Sequence, residues 1–382
     1  MDHHEAAGHV PVPHAEAGWL QVEGEPLHNS EACEVKIAML QMPGDVATRR
    51  VVLKRCKISC HDALARFRRE AALMRRLSHP CLASLICIVE LPPTYGLVSE
   101  LATRGSLAQV MYGSGEACVC FQWQGVALIA HDVSCALAFL HQETTLHRDI
   151  KPANVLLMDD GRILLIDLDH SEAEGARVQE NKKRGPSGGN FKNFLVGTLL
   201  YMAPEVLLKQ GSMRASDIYS LAISLCELAS GVVPYSDART STEQMHTVLE
   251  AKYNLMSLTT AITSDHLRPA LPSDGELPSP LVDVITRGWA PSSAHRPSAA
   301  AVCAEAAALL VSGGVDMGDA QARAEALTPR ASPAQQLPPA AAAPDAHGLS
   351  PEAYSAVQRF PFLRLAAEQK GPAINSLKPS TE

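Results

Sequence analysis

Eleven residues, running from His147 through Arg148, Asp149, Ile150, Lys151, Pro152, Ala153 and Asn154 to Leu157, limit what this chain can fold into more than any other stretch. They set a carboxylate (Asp149), an ammonium (Lys151) and a carboxamide (Asn154) within six positions, with Pro152 stiffening the turn between them. The apolar run Val155–Leu157 reads as a buried strand. Asp159, Asp160 and Gly161 make a turn, and a second apolar run, Ile163–Ile166, ends on Asp167. Two apolar runs around an Asp-Gly turn signal a hairpin. Such a hairpin brings Asn154 close to Asp167, so Asp149, Asn154 and Asp167 converge at one rim. Hard oxygen ligands beside a free carboxylate suit a magnesium-bound nucleotide.

The remaining chain is large enough to support such a rim. At 382 residues with 46% apolar content it can bury the core of one two-lobed domain or two ordinary ones. The formal charge of −8 leaves no wide basic face, which argues against a nucleic-acid or membrane-surface protein. The ten cysteines are scattered. Neither Cys118-x-Cys120 nor the group Cys56, Cys60 and His61 has a matching second pair at zinc spacing, so reduced thiols in a cytosolic protein are expected. No signal sequence opens the chain and no uninterrupted apolar run reaches about 18 residues. A soluble, cytoplasmic protein is expected, with a nuclear location left open.

Residues 1–18 carry His3, His4, His9 and His14 among Ala, Gly, Pro and Glu and read as a disordered leader. From Trp19 the pattern turns strand-like: Cys33–Ala38 alternates, Pro43-Gly44-Asp45 is a turn, and Arg50–Lys54 is a further strand. There Val52 and Lys54 share one face, suited to a ligand that is partly anionic and partly apolar. A helix over Asp62–Leu77 would bury Phe67, Ala71, Met74 and Leu77, and Glu70 lies on the same stripe. A buried carboxylate needs a partner. Either Lys54 supplies it, or Glu70 lies at the stripe's edge and pairs with Arg66 or Arg69 in solvent. Ser78-His79-Pro80 ends the helix; strands follow near Leu82–Glu90 and Tyr95–Glu100, and a long helix near Gln124–His141 leads into the hairpin. Apolar stretches around Leu221–Val233 and Ala299–Val311 carry Glu227 and Glu305 and read as core helices. Residues 313–382 shift to Ala and Pro, with Pro338–Pro344 at their centre, and are expected to be a disordered tail. In it, Thr328-Pro329, Ser332-Pro333 and Ser350-Pro351 could accept phosphate. The apolar cluster Arg359–Leu363 could dock a partner or fold onto the domain.

The stretch from His147 to Asn154 resembles the catalytic loop of protein kinases, and Asp167-Leu168-Asp169 resembles their metal-binding turn. Further resemblances stand in register: Ser99–Ala102 with Thr103–Leu107 is similar to the hinge between lobes, Gly197–Glu205 to the close of the activation segment, Asp217–Leu221 to the start of the central helix, and His295–Ser298 to a late arginine motif. With Trp289 and Leu267-Arg268-Pro269, the likeness is greatest to the tyrosine-kinase-like group, over roughly residues 19–312. It implies an α+β, two-lobed kinase fold: a small β-rich N-lobe (19–101) with one regulatory helix and a larger, mainly helical C-lobe (102–312). It implies that Asp149 is the base, that Lys151 sits against the transferring phosphate, and that Asn154 and Asp167 hold Mg2+, with Mn2+ as an alternative. Lys54, held by Glu70, would clamp the phosphates of ATP. Val35, Val52 and Leu156 would sandwich adenine, whose edge the carbonyl of Glu100 and the amide of Ala102 would hold. Met74, His147, Leu168 and Asp217 would form a supporting stack. Arg148 and Thr198 would serve activation, and Arg296 would bind Glu205. Lys151-Pro152 and Thr198 before Tyr201 resemble serine/threonine kinases, so the implied partners are ATP and protein substrates; a docking partner for the tail is suggested separately, by the apolar cluster Arg359–Leu363. Ala153 and Ser106 stand where kinases selecting basic substrates often carry glutamate, which implies no strong preference for upstream arginine. Ser99 is small at the position that gates the back pocket.

The chain also departs from the family. The three positions of the glycine-rich loop fall on His28, Ser30 and Cys33, where side chains narrow the approach to phosphate. Asp169 replaces a glycine and either faces solvent or adds repulsion near Asp149 and Asp167. Phe194 occupies the usual phosphorylated position, with Ser171 and Ser187 the only hydroxyls before Thr198 and a basic run at Lys182, Lys183 and Arg184. These departures leave an alternative reading, a pseudokinase scaffold that binds nucleotide with little or no turnover.

Overall fold

The computed structural model describes residues 12–16, 18–112, 119–174, 199–235, 255–272 and 275–331. Strands β1 (Leu20–Asn29), β2 (Cys33–Leu40), β3 (Arg49–Cys56), β4 (Leu85–Leu91) and β5 (Thr94–Glu100) form one antiparallel sheet in the order β1-β2-β3-β5-β4. Strand alternation sorts the side chains of β3. Val51 and Leu53 are buried on one face with Ala38, Leu40, Cys87 and Val98. Val52 and Lys54 take the other, where the register pairs them with Ser99 and Leu97 of β5. That second face receives helix α1 (His61–Arg76), whose Phe67 and Ala71 pack on Leu85, Ile88 and Leu97. The helix stops where Leu77 turns extended and gives its N–H to Leu73 O (2.9 Å); Pro80, three residues on, could not have continued it. Within the expected leader, the described residues 12–16 pack on the sheet. Pro13 and Ala15 exchange backbone hydrogen bonds with Ile88 at 3.0 and 2.7 Å, and Ala15 is buried. Backbone bonds alone can add a short segment to a sheet edge, a contact that histidine-rich composition does not reveal.

The C-lobe contains α2 (Leu107–Tyr112), β6 (Val119–Cys120), α3 (Trp123–Gln142), β7 (Thr145–Leu146), β8 (Val155–Leu157), β9 (Ile163–Leu165) and β10 (Glu172–Ala173). After them come α4 (Pro204–Leu207), α5 (Arg214–Ser230), α6 (Leu255–Thr263), α7 (Ser279–Gly288) and α8 (Ala299–Ser312). Every residue of α5 from Ser216 to Ala229 is buried, so it is the axis around which the lobe packs. Helix α3 is long and apolar enough by composition to cross a membrane, yet most of its residues are buried in this core. The expected hairpin is present as antiparallel β8 and β9, with Gly161 at φ 75° in its turn, a conformation that favours glycine.

Two further sequence expectations need correction. The tail was expected from residue 313, but residues up to 331 are packed on the C-lobe as α9 (Ala320–Ala326) and β11 (Arg330–Ala331). Asp319 caps α9, Leu327 is fully buried, and β11 pairs with β6. Arg323 donates to the Asp132 carboxylate of α3 and to the carbonyl of Gly161. An alanine-rich segment looks unstructured by composition, but one buried leucine and two arginines suffice to dock it. Free thiols were expected throughout, whereas Cys135 and Cys303 are joined as a disulfide between α3 and α8. The remainder of the tail, including Ser332-Pro333, Ser350-Pro351 and Arg359–Leu363, lies outside the described residues.

Candidate active site

Helix α5 positions the catalytic loop through one side chain. Asp217 Oδ2 accepts from His147 N (3.0 Å) and His141 Nε2 (2.9 Å), and Oδ1 accepts from Arg148 N (2.8 Å). These bonds hold Arg148 at φ 71°, a left-handed conformation costly to a residue with a Cβ unless its surroundings impose it. His147, fully buried, donates from Nε2 to Ile166 O (3.0 Å) and accepts at Nδ1 from Asp149 N (3.3 Å). Burial lowers its pKa against the pull of the nearby carboxylates, so it serves as a neutral link between the loop and β9.

That link sets the acids. Lys151 Nζ donates to both oxygens of Asp149, at 3.0 and 2.7 Å, and Asn154 Nδ2 donates to Asp149 Oδ2 (2.8 Å) and to its backbone carbonyl (2.8 Å). Asn154 O in turn accepts from Ile166 N (3.0 Å), which places Asp167 at the hairpin's open end. Asp167 has φ 72° and turns its carboxylate toward β3. There Lys54 Nζ donates to Glu70 Oε1 (2.7 Å) and Asp167 Oδ1 (2.9 Å). Of the three partners open to Glu70 (Lys54, Arg66 and Arg69), the structure selects Lys54. Burial opposes the charge on Lys54, but Asp167 and Glu70 outweigh it and hold the ammonium's pKa far above its usual value. Burial likewise disfavours the Asp167 anion, and Lys54 overcomes it, bringing that carboxyl down to about 2. Burial pushes Glu70 up, with Lys54 pulling the other way. Strand, helix and hairpin thus meet at one ammonium, and positions 54, 149 and 167 line one cleft.

The other predicted residues fall around that cleft. Val35 and Val52 lie on β2 and β3, Leu156 lies on β8, and Glu100 closes β5 with Ala102 two residues beyond it. The Glu100 side chain is taken by Arg162 (3.0 Å), so only its main chain is left to face a ligand. Leu168 is buried in the C-lobe core, against which Met74 packs. Arg296 grips Glu205 with two bonds, Nη1 to Oε1 at 2.7 Å and Nη2 to Oε2 at 2.9 Å, as expected, and Ser216 Oγ adds a third. Arg148 pairs with Glu172 of β10. Asp169 is exposed, which settles its orientation toward solvent. Thr198, Ser187, Phe194 and the run from Lys182 to Arg184 lie outside the described residues. Where glycines would be expected, β1 and β2 join in a tight turn in which Ser30 Oγ bonds Cys33 O (3.1 Å) and Lys57 Nζ holds Ser30 O (2.6 Å).

Two features escaped the sequence reading. Glu227 of α5 is buried and accepts from Tyr112 and Tyr201, each at 2.7 Å, tying α2 to the segment before Glu205. A lone glutamate in an apolar helix was its only trace. His170 brings a ring nitrogen within 4.8 Å of carboxylate oxygens of Asp149 and Asp167, and its Nδ1 is buried with no hydrogen-bond partner among the described residues. One ring nitrogen and two carboxylate groups this close together are a donor set that suits a divalent cation.

Comparison with known proteins gives this geometry its family. Residues 34–306 match the protein kinase domain family. The chain is 38% identical over 260 residues to a protein kinase and PP2C-like domain-containing protein of Arabidopsis thaliana, covering 65% of this chain and 38% of that protein. Its counterpart in Oryza sativa subsp. japonica is 38% identical over 265 residues, covering 65% of this chain and 39% of that protein. The serine/threonine/tyrosine-protein kinase HT1 of Arabidopsis thaliana is 28% identical over 255 residues, covering 65% and 57%. The chain therefore spans about two fifths of the first two relatives. With the strand lysine, the helix glutamate, the loop aspartate and the hairpin aspartate gathered in one cleft, the chain belongs to the protein kinase domain family.

Proposed function

We propose that this chain is a serine/threonine protein kinase that binds ATP between its lobes and transfers the γ-phosphoryl group to a Ser or Thr hydroxyl of a protein substrate. The contact of Lys54 with both Glu70 and Asp167 carries the reading, because it requires α1 and the hairpin to be in working position together. Lys54 would hold the α- and β-phosphates once they displace part of its carboxylate contacts. Asp149, its carboxylate oriented by Lys151 and Asn154, accepts the proton of the substrate hydroxyl as that oxygen bonds to phosphorus and the bond to ADP breaks. Mg2+ is the proposed cation, held by Asp167 and Asn154, with Mn2+ accepted because His170 adds a nitrogen donor; the cation neutralises phosphate charge. Val35, Val52 and Leu156 would flank adenine.

The deciding assay is transfer from radiolabelled ATP to a generic protein substrate, with Mg2+ or Mn2+, by wild type and Asp149→Asn. Losing the base should cost at least ~10²-fold. Equal signals from the two would favour a binding scaffold without turnover.

A further inference from the structure

One cluster outside the cleft holds chemistry that phosphoryl transfer does not use. Packing of α3 against α8 brings Cys135 and Cys303 together, with Cα atoms 5.6 Å apart. One helical turn before Cys135, His131 sets Nε2 3.7 Å from the Cys135 sulfur. Residues four apart share a helix face, so these two donors are side by side. The other ring nitrogen, Nδ1, donates to Asp132 Oδ1 at 2.8 Å, which leaves the lone pair on Nε2, the nitrogen beside the Cys135 sulfur. The three donor atoms lie within 4.8 Å of one another, and all three residues are half-buried, so an ion has a path to them. Asp132 is itself fixed by Arg323 from the C-terminal segment.

A disulfide accounts for the two cysteines but makes no use of the imidazole Nε2 beside them. One imidazole and two thiolates from separate elements, with a carboxylate behind the imidazole, form the donor set of a borderline-soft divalent cation. The other thiols are less suited. Burial pushes Cys56 and Cys81 up to about 12 and Cys87 up to about 11, which keeps them protonated. Among the described residues no other cluster combines cysteine with histidine.

We infer that the dithiol form of this protein binds one Zn2+ through His131 Nε2, Cys135 Sγ and Cys303 Sγ, with an exchangeable fourth ligand on the solvent side. Two Zn–S bonds replace two S–H bonds, so two protons leave on loading. Two equivalents of a thiol reductant, which leave as their own disulfide, convert the bonded pair to the dithiol, so disulfide and metal are alternative states of the same pair and either one fastens α3 to α8.

Cobalt(II) is the probe. The full-length protein is reduced with a phosphine, stripped of metal and titrated with Co2+ under argon. One equivalent should produce thiolate-to-cobalt charge-transfer absorption with tetrahedral ligand-field bands, and Zn2+ should bleach them. Cys303→Ser and His131→Ala should each weaken binding at least ~10-fold, while Cys87→Ser leaves it unchanged. The bands require sulfur, so the histidines near the N-terminus cannot mimic them. As a readout free of variants, Zn2+ should protect Cys135 and Cys303 of the wild type from alkylation, mapped by peptide mass. Absence of thiolate bands at one equivalent, bands unaltered in Cys303→Ser, a pair that stays oxidised under the phosphine, or unprotected thiols at saturating Zn2+ would each overturn the proposal.

Discussion

Arg323→Ala tests whether the segment after α8 is a working part of the kinase domain. In the folded protein the Arg323 side chain is 12% exposed and faces an Asp132 side chain that is 6% exposed. It also donates from Nε (3.2 Å) and Nη2 (3.1 Å) to Gly161 O in the turn that presents the hairpin, and from Nη1 to Met317 O (3.4 Å). Truncation leaves Asp132 buried with His131 as its remaining partner and removes the donors of the Gly161 carbonyl. Breaking one side of a buried ion pair costs ~3–5 kcal/mol, and the contact kept with His131 argues for the lower end. At ~2–4 °C per kcal/mol for a domain of this size, Tm should fall by ~6–12 °C. Calorimetry or urea unfolding of the full-length protein measures it. Ending the chain after residue 312 should destabilise further, because the buried Leu327 side chain adds ~2 kcal/mol. In a double-mutant cycle, Asp132→Asn with Arg323→Ala should fall short of additive by ~1 kcal/mol or more. If Arg323→Ala and the truncation both stay within ~0.5 kcal/mol of wild type, the segment is only resting on the lobe and the reasoning fails.

Other perturbations read other parts of the structure. Burial pushes the Glu227 carboxyl from its usual 4.5 up to about 7. The folded state therefore keeps a proton that the unfolded chain releases between those values. Stability should fall by about 3 kcal/mol as pH rises through that window and then level off; denaturation of wild type and Glu227→Gln at both ends should show the variant without this component of the slope. Arg148 and Glu172 form a pair with side chains 36% and 42% exposed, so Glu172→Ala should shift stability by less than ~1 kcal/mol in urea unfolding. Ser99 lies opposite Val52 and Leu85 in the sheet, so adenine-site inhibitors with a bulky group should bind well and Ser99→Met should weaken them at least ~10-fold in a competition assay. His170→Ala should lower activity with Mn2+ more than with Mg2+, since it removes the nitrogen donor and leaves the oxygens.

The part of this protein that spacing alone disclosed is the part whose chemistry is local. Asp149, Lys151 and Asn154 share six positions, and an Asp-Gly turn returns the chain to Asp167, so their convergence follows from one hairpin. Lys54 and Glu70 are 16 residues apart, and periodicity alone left Lys54 level with Arg66 or Arg69; the family resemblance pointed to Lys54, and the packing of α1 on the sheet makes that bond. Arg323 and Asp132 are 191 positions apart and Cys135 and Cys303 are 168 apart, and nothing in either neighbourhood names the other. Composition misled for the same reason. It averages over a segment, whereas docking of residues 313–331 depends on Leu327, Arg323 and the Asp319 cap.

This division has a consequence for how the cleft is held. Asp217 fixes the catalytic loop from α5, and His147 passes that order to β9, so the acids are positioned from the C-lobe core outward. The other end of the same hairpin is held from outside that core, by Arg323 at Gly161, where φ 75° and the 2.7 Å approach of Arg323 Cβ to a Cβ built on position 161 together require glycine. A hairpin pinned at both ends can keep Asp167 at φ 72° against Lys54 without help from a glycine after Leu168. Asp169 can therefore occupy that position facing solvent, and the departure that seemed most threatening to the metal turn is compatible with the anchored geometry.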